Sequence, residues 1–492
     1  MVLSQNDPDF HLYRRTLSAD CLTPPAVFAR LLEQGDCFLL ESAEGGERWG
    51  RFSILAISPA CRAVSKGSST QLIHRDGSEE VFSGDILQWL RQQVIAKAAP
   101  LADDLPFAGG AVGFFGYQLV SHFEGIPSDL PDPVGAPESA FLLVDRFIVF
   151  DNLRGTLTCC VRLPEDAADE AQEVLDGMER SLYQGNAAAA MNLDAADAGH
   201  VSPEAQTTQA DFEAAVRQAK EYILAGDIFQ VVLSQRFSKE LACSPFDIYR
   251  AVRYINPSPY LFYLHIGDTI LVGSSPEILV RKDGDKAIVR PIAGTRPRGK
   301  SADEDAALAD ELLADTKELA EHVMLVDLGR NDLGRVCEYG SVQLTQSMVI
   351  ERYSHVMHIV SQVEGKLRAD TDAIDLLAAT FPAGTVSGAP KVRAMQIIHE
   401  LEPVARGPYA GCVGYLGYGG ERMDTAIAIR TAVIHGGQVH IQAGAGIVAD
   451  SVPEREHIEC VNKAAAMFRA VALAEAQQQR KSPSDIEDGQ QA

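Results

Sequence analysis

Residues 315–335, DTKELAEHVMLVDLGRNDLGR, decide how the rest of this chain is read. Leu319, Val323, Met324 and Leu328 recur at helical spacing, so the segment is expected to be a helix. Glu318 and Glu321 lie three apart, and their carboxylates leave that helix as neighbours. A second pair, Glu456 and Glu459, has the same spacing in PEREHIECVNK near the far end. Ser451, Pro453 and Glu454 supply a cap, a first-turn proline and a capping-box partner for that helix. Two carboxylates on each of two helices make a hard, oxygen-rich donor set of the kind Mg²⁺ accepts. Spacing alone does not separate this from two ordinary solvated helix faces, because exposed glutamate is common.

The surrounding chain has 492 residues, 46% of them hydrophobic and 23% charged. That is a soluble globular composition, long enough for two or three domains or one large double-sheet body. A net charge of −25 argues against general nucleic-acid or anionic-membrane binding, which needs a basic surface. Nine cysteines without CxxC or zinc-like spacing suggest reduced thiols and a cytoplasmic protein. The opening MVLSQNDPDF is polar and acidic, unlike a secretory signal. No run of eighteen apolar residues suggests a membrane span.

Residues 23–35 read as a capped helix with Pro24 in its first turn and Gly35 as its stop. The apolar run CFLLES follows, then a turn at Gly45 and Gly46, then RFSILAIS. Further strands are expected at 110–117, 140–151 and 156–163, with a helix at 85–98 between. From Pro164 the composition shifts to Ala, Asp and Glu, which predicts a surface helix and a linker to about residue 208. Beyond it, a helix at 211–226 leads to the strand DIFQVVLSQRFS. Strand-like runs recur at 260–266, 270–274, 286–291, 349–363, 411–418, 425–435 and 438–443, with another helix at 388–401. Strands and helices do not alternate one for one, which disfavours a doubly wound parallel sheet. The expectation is an α/β (α+β) fold of layered antiparallel sheets flanked by helices. Its parts are 10–163, the helix and linker at 164–208, 209–475, and a disordered tail at 476–492.

Several short stretches carry chemistry. FPAGTVSGAPKVRAMQ puts Gly, Thr and Ser before a helix, where backbone N–H groups can face an anion. It lacks the P-loop spacing. Gly444 and Gly446 in QAGAGIV allow close backbone approach to a ligand, or simply form a turn. Arg430, in the apolar run AIAIRTAV, serves carboxylate binding or a structural ion pair. His355 and His358 differ by three and face opposite sides of a strand. His358 is a proton carrier or a satisfied core histidine.

SSPEILV, PIAGTRPRG, the 315–335 stretch, FPAGTVSGAPKVRAMQII and QAGAGIVADSVPEREHIECVNKA occur in the order seen in chorismate-utilising enzymes. With LLES near the start and NPSPYLF at 256–262, the chain resembles the component I branch of anthranilate synthases over about residues 10 to 470. The resemblance implies that Glu318, Glu321, Glu456 and Glu459 serve Mg²⁺, with Glu321 and Glu459 the direct ligands, and that the metal holds the ring carboxylate of chorismate. It implies that Gly294, Thr295, Tyr409, Arg430, Gly444, Ala445, Gly446 and Lys463 bind substrate. Glu277 matches the acid that protonates the departing C4 hydroxyl, and His358 and Thr385 match residues beside the reacting ring.

The implied reaction is attack of ammonia at C2 of chorismate, giving 2-amino-2-deoxyisochorismate, followed by pyruvate loss to anthranilate. Water-using relatives carry lysine where this chain has Gln230, and 4-amino-4-deoxychorismate synthases read PIKGT where this chain has Ala293. Both departures point to direct C2 amination rather than a sister reaction. The intact Glu277, Glu321, His358 and Glu459 disfavour a non-catalytic tryptophan sensor on the same fold. No glutaminase signature surrounds Cys337 or Cys412, which implies a separate glutamine amidotransferase partner, component II of such a synthase. The resemblance finally implies feedback by L-tryptophan through Leu40, Glu41, Ser42, Pro259, Tyr260 and Leu261, in the first step of tryptophan biosynthesis.

Overall fold

The computed structural model describes residues 10–32, 35–42, 50–97, 104–185, 188–193, 203–353 and 356–480. Its helices, in chain order, are α1 (Pro24–Leu31), α2 (Ile86–Leu90), α3 (Ala168–Ser181), α4 (Gln209–Leu224), α5 (Pro245–Ile255), α6 (Ala302–Ala314), α7 (Thr316–Gly334), α8 (Ala373–Thr380), α9 (Lys391–Leu401) and α10 (Pro453–Arg480). Their starts follow local chemistry. Thr23 caps α1 ahead of Pro24, and Asp315 caps α7 by accepting from the amides of Lys317 and Glu318. Asp372 and Asp375 form a reciprocal capping box on α8.

The strands form two antiparallel sheets. One runs from the edge strand Phe10–Ser18 through Thr156–Pro164, Arg146–Asp151, Phe52–Ile57, Cys37–Glu41, Tyr260–Ile266, Thr269–Ser275, Thr431–His435 and Gln438–Ile447 to Gln230–Glu240. The other runs from Ile292–Pro297 through Val356–Lys366, Lys286–Val289, Ile278–Asp283, Arg422–Ile427, Cys412–Gly417, Gly110–Phe115 and Ser139–Val144 to Cys61–Lys66 and its hairpin. Residues of both sheets, among them Phe38, Phe262, Phe114 and Val413, form a core between them. Helices α1, α3, α5 and α10 pack on the outer face of the first sheet. Helices α2, α7 and α8 cover the second, and α9 packs on Gln230–Glu240 of the first. The layered antiparallel fold is the one expected.

The division into parts is different. Segments 10–163 and 209–475 each contribute strands to both sheets, so they are not separate bodies. Two runs that read as single strands are also split between the sheets. Residues 140–151 break at Asp145, and residues 425–435 break after Ile427. A strand that crosses from one sheet to the other stays apolar on both sides, so hydrophobic pattern cannot show the crossing. The run at 349–363 is likewise two paired strands, Gln343–Arg352 and Val356–Lys366.

Helix α10 continues to Arg480, five residues into the expected tail. Gln477 is buried there and its amide donates to the Asn192 carbonyl at 2.9 Å. Ser451 does not cap α10, because the first helical amides reach the Val452 carbonyl. Its hydroxyl accepts from the Val448 amide instead. Gly45, Gly46, His355 and residues 481–492 lie outside the described residues. All nine cysteines are free thiols, eight of them buried. Among the described residues no helix is long and apolar enough to cross a membrane.

Candidate active site

Two neighbouring sheet crossings build the centre of the site. Glu277 sits between Thr269–Ser275 and Ile278–Asp283, and Arg430 sits between Arg422–Ile427 and Thr431–His435. The crossings are bonded to each other: Ser274 N–H donates to the Arg430 carbonyl at 3.1 Å, and Ile427 N–H donates to the Glu277 carbonyl at 3.0 Å. Arg430 is therefore not a strand residue, as its apolar surroundings suggested. Its φ of 49° is left-handed, a strained geometry that concentrates at functional positions. Its guanidinium acts electrostatically on both Glu277 and His358.

Glu277 is buried, and burial pushes its carboxyl up to about 8, against the opposing pull of Thr385, Arg430 and the Ile292 amide. It is protonated at neutral pH, which suits an acid. The Thr385 hydroxyl lies beside it and, among the described residues, is buried without a hydrogen bond of good geometry. His358 is buried too, and burial holds its ring neutral. Its Nδ1 is 2.8 Å from the Gly294 carbonyl and 3.2 Å from Thr295 Oγ1. A carbonyl can only accept, so Nδ1 carries the proton and Nε2 keeps a lone pair for proton abstraction.

Gly294 joins this histidine to the carboxylate helix. It sits at a bulge with φ 67°, and a Cβ there would lie 2.9 Å from Leu312 Cδ1 and 3.3 Å from Glu318 Oε2. On the other side, QAGAGIV is an interior strand rather than a turn, paired with Gln230–Glu240. A Cβ on Gly444 would come 2.7 Å from the Tyr409 hydroxyl, and one on Gly446 2.4 Å from Gln230 Nε2. These glycines let Tyr409 and Gln230 close on the strand. Gln230 Nε2 reaches toward Glu321 Oε1 at 3.5 Å. Lys463 Nζ donates to the Gly444 carbonyl at 3.0 Å and pairs with Glu459 at 2.7 Å. Ala445, between the two glycines, is buried.

The four glutamates occupy the first two turns of α7 and α10, Glu318 and Glu456 in the first and Glu321 and Glu459 in the second. Burial and the neighbouring Glu321 push the Glu318 carboxyl up, opposed by Arg296 at 3.5 Å. Burial, then Glu459, push Glu456 up, while Ser451, Lys317 and Lys463 oppose. Lys317 belongs to α7, so the two helix starts feel each other's charge. Among the described residues no three His, Cys, Asp or Glu side chains converge closely enough to cage an ion. The donor chemistry nevertheless fits Mg²⁺: carboxylate oxygens in two like-charged pairs, whose mutual repulsion a divalent cation relieves.

A second, larger feature collects all six residues expected to bind the inhibitor. Leu40, Glu41, Ser42, Pro259, Tyr260 and Leu261 line one cavity of about 470 Å³. Register explains this, because Leu261 pairs with Glu41 and Phe262 with Leu40. Glu41 is buried and accepts from the Tyr249 hydroxyl and from Arg253 Nε at 3.1 Å. Ser42 Oγ is buried with no partner among the described residues. Asp424, Arg281 and Tyr415 of the second sheet also line the cavity and were not foreseen. Asp424 pairs with Arg281 at 3.1 Å and accepts from Tyr260 at 3.2 Å. The available signal was an acid inside the apolar run RMDTAIAI.

The chorismate binding enzyme family model matches residues 35–469. Component 1 of anthranilate synthase from Pseudomonas putida is 50% identical over 469 residues, covering 93% of this chain and 94% of that protein. The Thermus thermophilus protein of the same name is 47% identical, with 94% and 98% covered. Among solved structures, anthranilate synthase component I from Streptococcus pneumoniae superposes with a TM-score of 0.74 at 37% identity, over 92% of this chain and 98% of that one. The menaquinone-specific isochorismate synthase of Escherichia coli, at 20% identity and a TM-score of 0.71 over 94% and 95%, shares the fold.

Proposed function

This chain belongs to the chorismate-binding enzymes and is a chorismate-utilising lyase of the anthranilate synthase component 1 branch, and from that premise we propose how its residues form anthranilate. Chorismate lies between the Glu277–Arg430 crossings and the glycine strand. Arg430 takes the enolpyruvyl carboxylate by a two-pronged contact, with the Gly444–Gly446 backbone beside it and Tyr409 behind. Ammonia forms the new bond to C2 as the C4 hydroxyl departs. Glu277 gives its proton to that hydroxyl, which leaves as water, and the attacking nitrogen returns one proton to the site. The observation that carries this reading is the burial of Glu277 beside Arg430, which pushes its carboxyl up to about 8.

His358 Nε2 then accepts the C2 proton of 2-amino-2-deoxyisochorismate, and the enolpyruvyl group leaves as pyruvate with one added proton. Thr385 and Thr295 flank these two groups. Gln230 is a neutral amide and cannot activate water as a base, which favours ammonia as nucleophile. Glu321 and Glu459, with Glu318 and Glu456 behind them, would hold Mg²⁺. When bound, the ion neutralises the ring carboxylate and fixes its position.

Ammonia comes from a glutamine amidotransferase partner, and L-tryptophan fills the 470 Å³ cavity to shut the enzyme off. The cytoplasm is the compartment that suits a chain with nine free thiols. The deciding experiment is product fluorescence with chorismate, Mg²⁺ and ammonium. Anthranilate formation with ammonium, and little with glutamine alone, is the expected result. Isochorismate as the product, or efficient glutamine use by the isolated chain, contradicts the proposal.

A further inference from the structure

His358 has a carboxylate across from it in its own sheet. The strand Val356–Lys366 pairs with Ile292–Pro297 on one side and Gln343–Arg352 on the other, and in that register Thr295 and Glu351 both stand opposite His358. Residues directly opposite on antiparallel strands present their side chains on one face. Tyr353 follows two residues after Glu351. Its ring meets the His358 ring at 5.5 Å between centroids, with 61° between planes. Its hydroxyl donates to Glu351 Oε2 at 2.8 Å, and Arg290 donates to Glu351 Oε1 at 2.6 Å. The Tyr353 backbone is held as well: its N–H donates to the Val356 carbonyl at 2.8 Å, and its carbonyl accepts from Arg298 at 2.7 Å.

We propose that Glu351 and Tyr353 are positioning residues for His358 in the second step. Tyr353 holds the imidazole in place, and the Glu351 carboxylate, fixed by Tyr353 and Arg290, steadies the positive charge that the imidazole gains with the C2 proton. The inference rests on the two-step reading above, with His358 as the base. As the proton leaves, the electrons of the C2–H bond pass into the substrate ring and the C3–O bond to the enolpyruvyl group breaks. The imidazole becomes a cation in a buried place. Burial opposes that cation, the Gly294 carbonyl favours it, Arg430 opposes it and Glu351 favours it. Of these two charged groups, Glu351 has the sign that helps. In the first step the imidazole stays neutral, so the pair bears on the second step above the first.

The test follows chorismate consumption, 2-amino-2-deoxyisochorismate and anthranilate together, with Mg²⁺, ammonium and either ordinary or C2-deuterated chorismate. Glu351→Gln keeps an acceptor for Tyr353 and removes the charge. Anthranilate formation then falls about tenfold, chorismate consumption falls less, the intermediate accumulates, and the deuterium effect on anthranilate formation grows. Tyr353→Phe keeps the ring contact, loses the bond to Glu351 and shows the same signature at about threefold. A purely structural role slows both steps alike and leaves the deuterium effect unchanged. That result in Glu351→Gln, or the native partition in Tyr353→Leu, overturns the proposal. If Glu351→Gln does not fold, Tyr353→Phe decides, because it leaves the Arg290–Glu351 pair in place, and a native partition there overturns it. Near-native anthranilate formation by His358→Gln instead removes the base assignment itself.

Discussion

The crossing at Glu277 and Arg430 and the cavity at Glu41 and Ser42 are both built from buried polar groups, yet they are built in opposite ways. In the 470 Å³ cavity the charges are satisfied by each other: Asp424 by Arg281 and Tyr260, Glu41 by Tyr249 and Arg253. At the crossing, burial outweighs the pull of Thr385 and Arg430 on Glu277 and pushes its carboxyl up. A paired group stores little chemistry, whereas a group whose proton is poised by burial can act. The 470 Å³ cavity is therefore suited to binding, and the groups proposed to react lie in tighter surroundings.

The contrast can be broken from the catalytic side first. Glu277→Gln keeps the shape and removes the transferable proton, so kcat should fall by about 10³-fold with the thermal midpoint little changed. Steady-state kinetics beside a melting curve checks both halves. A smaller but still large loss, about 100-fold or more in chorismate turnover, is expected for Glu321→Gln and for Glu459→Gln. Direct Mg²⁺ titration by calorimetry should show weakened binding in both. Full Mg²⁺ affinity in either variant removes that residue from the ligand set.

The cavity side should respond through binding and stability instead. Ser42→Phe places a ring in the cavity and should raise the tryptophan concentration for half-inhibition by about tenfold or more while turnover persists. Unchanged inhibition would move the regulatory site elsewhere. The smallest effect belongs to Tyr260→Phe. It removes one donor from Asp424, which keeps Arg281, and should cost about 1 kcal/mol in denaturant unfolding. A loss of kcat comparable to Glu277→Gln would erase the distinction between the two regions.

Much of this arrangement was legible from local signals. Helical spacing placed Glu318 with Glu321 and Glu456 with Glu459, and both pairs stand on helices as read. Pro24 and Pro453 marked where α1 and α10 begin, although Ser451 does not cap the latter. The motif resemblance named Glu277, His358 and Thr385, and the structure buries Glu277 so that its carboxyl is pushed up to about 8.

What local pattern could not carry was the passage of chain between sheets. Runs 140–151 and 425–435 are apolar on either side of Asp145–Arg146 and Arg430, and a charge inside an apolar run does not by itself say that the chain passes from one sheet to the other there. The left-handed turn at Arg430, the union of Asp424 with the Glu41 strand, and the pairing of Lys391 with Asp332 join residues far apart in the chain. The sequence by itself determined which short elements form and which side chains they offer, because those choices rest on spacing, caps and turns within a few residues. Only the tertiary structure decided which of those side chains lose water together. Desolvation and long-range contact, not local propensity, set the charge state of Glu277.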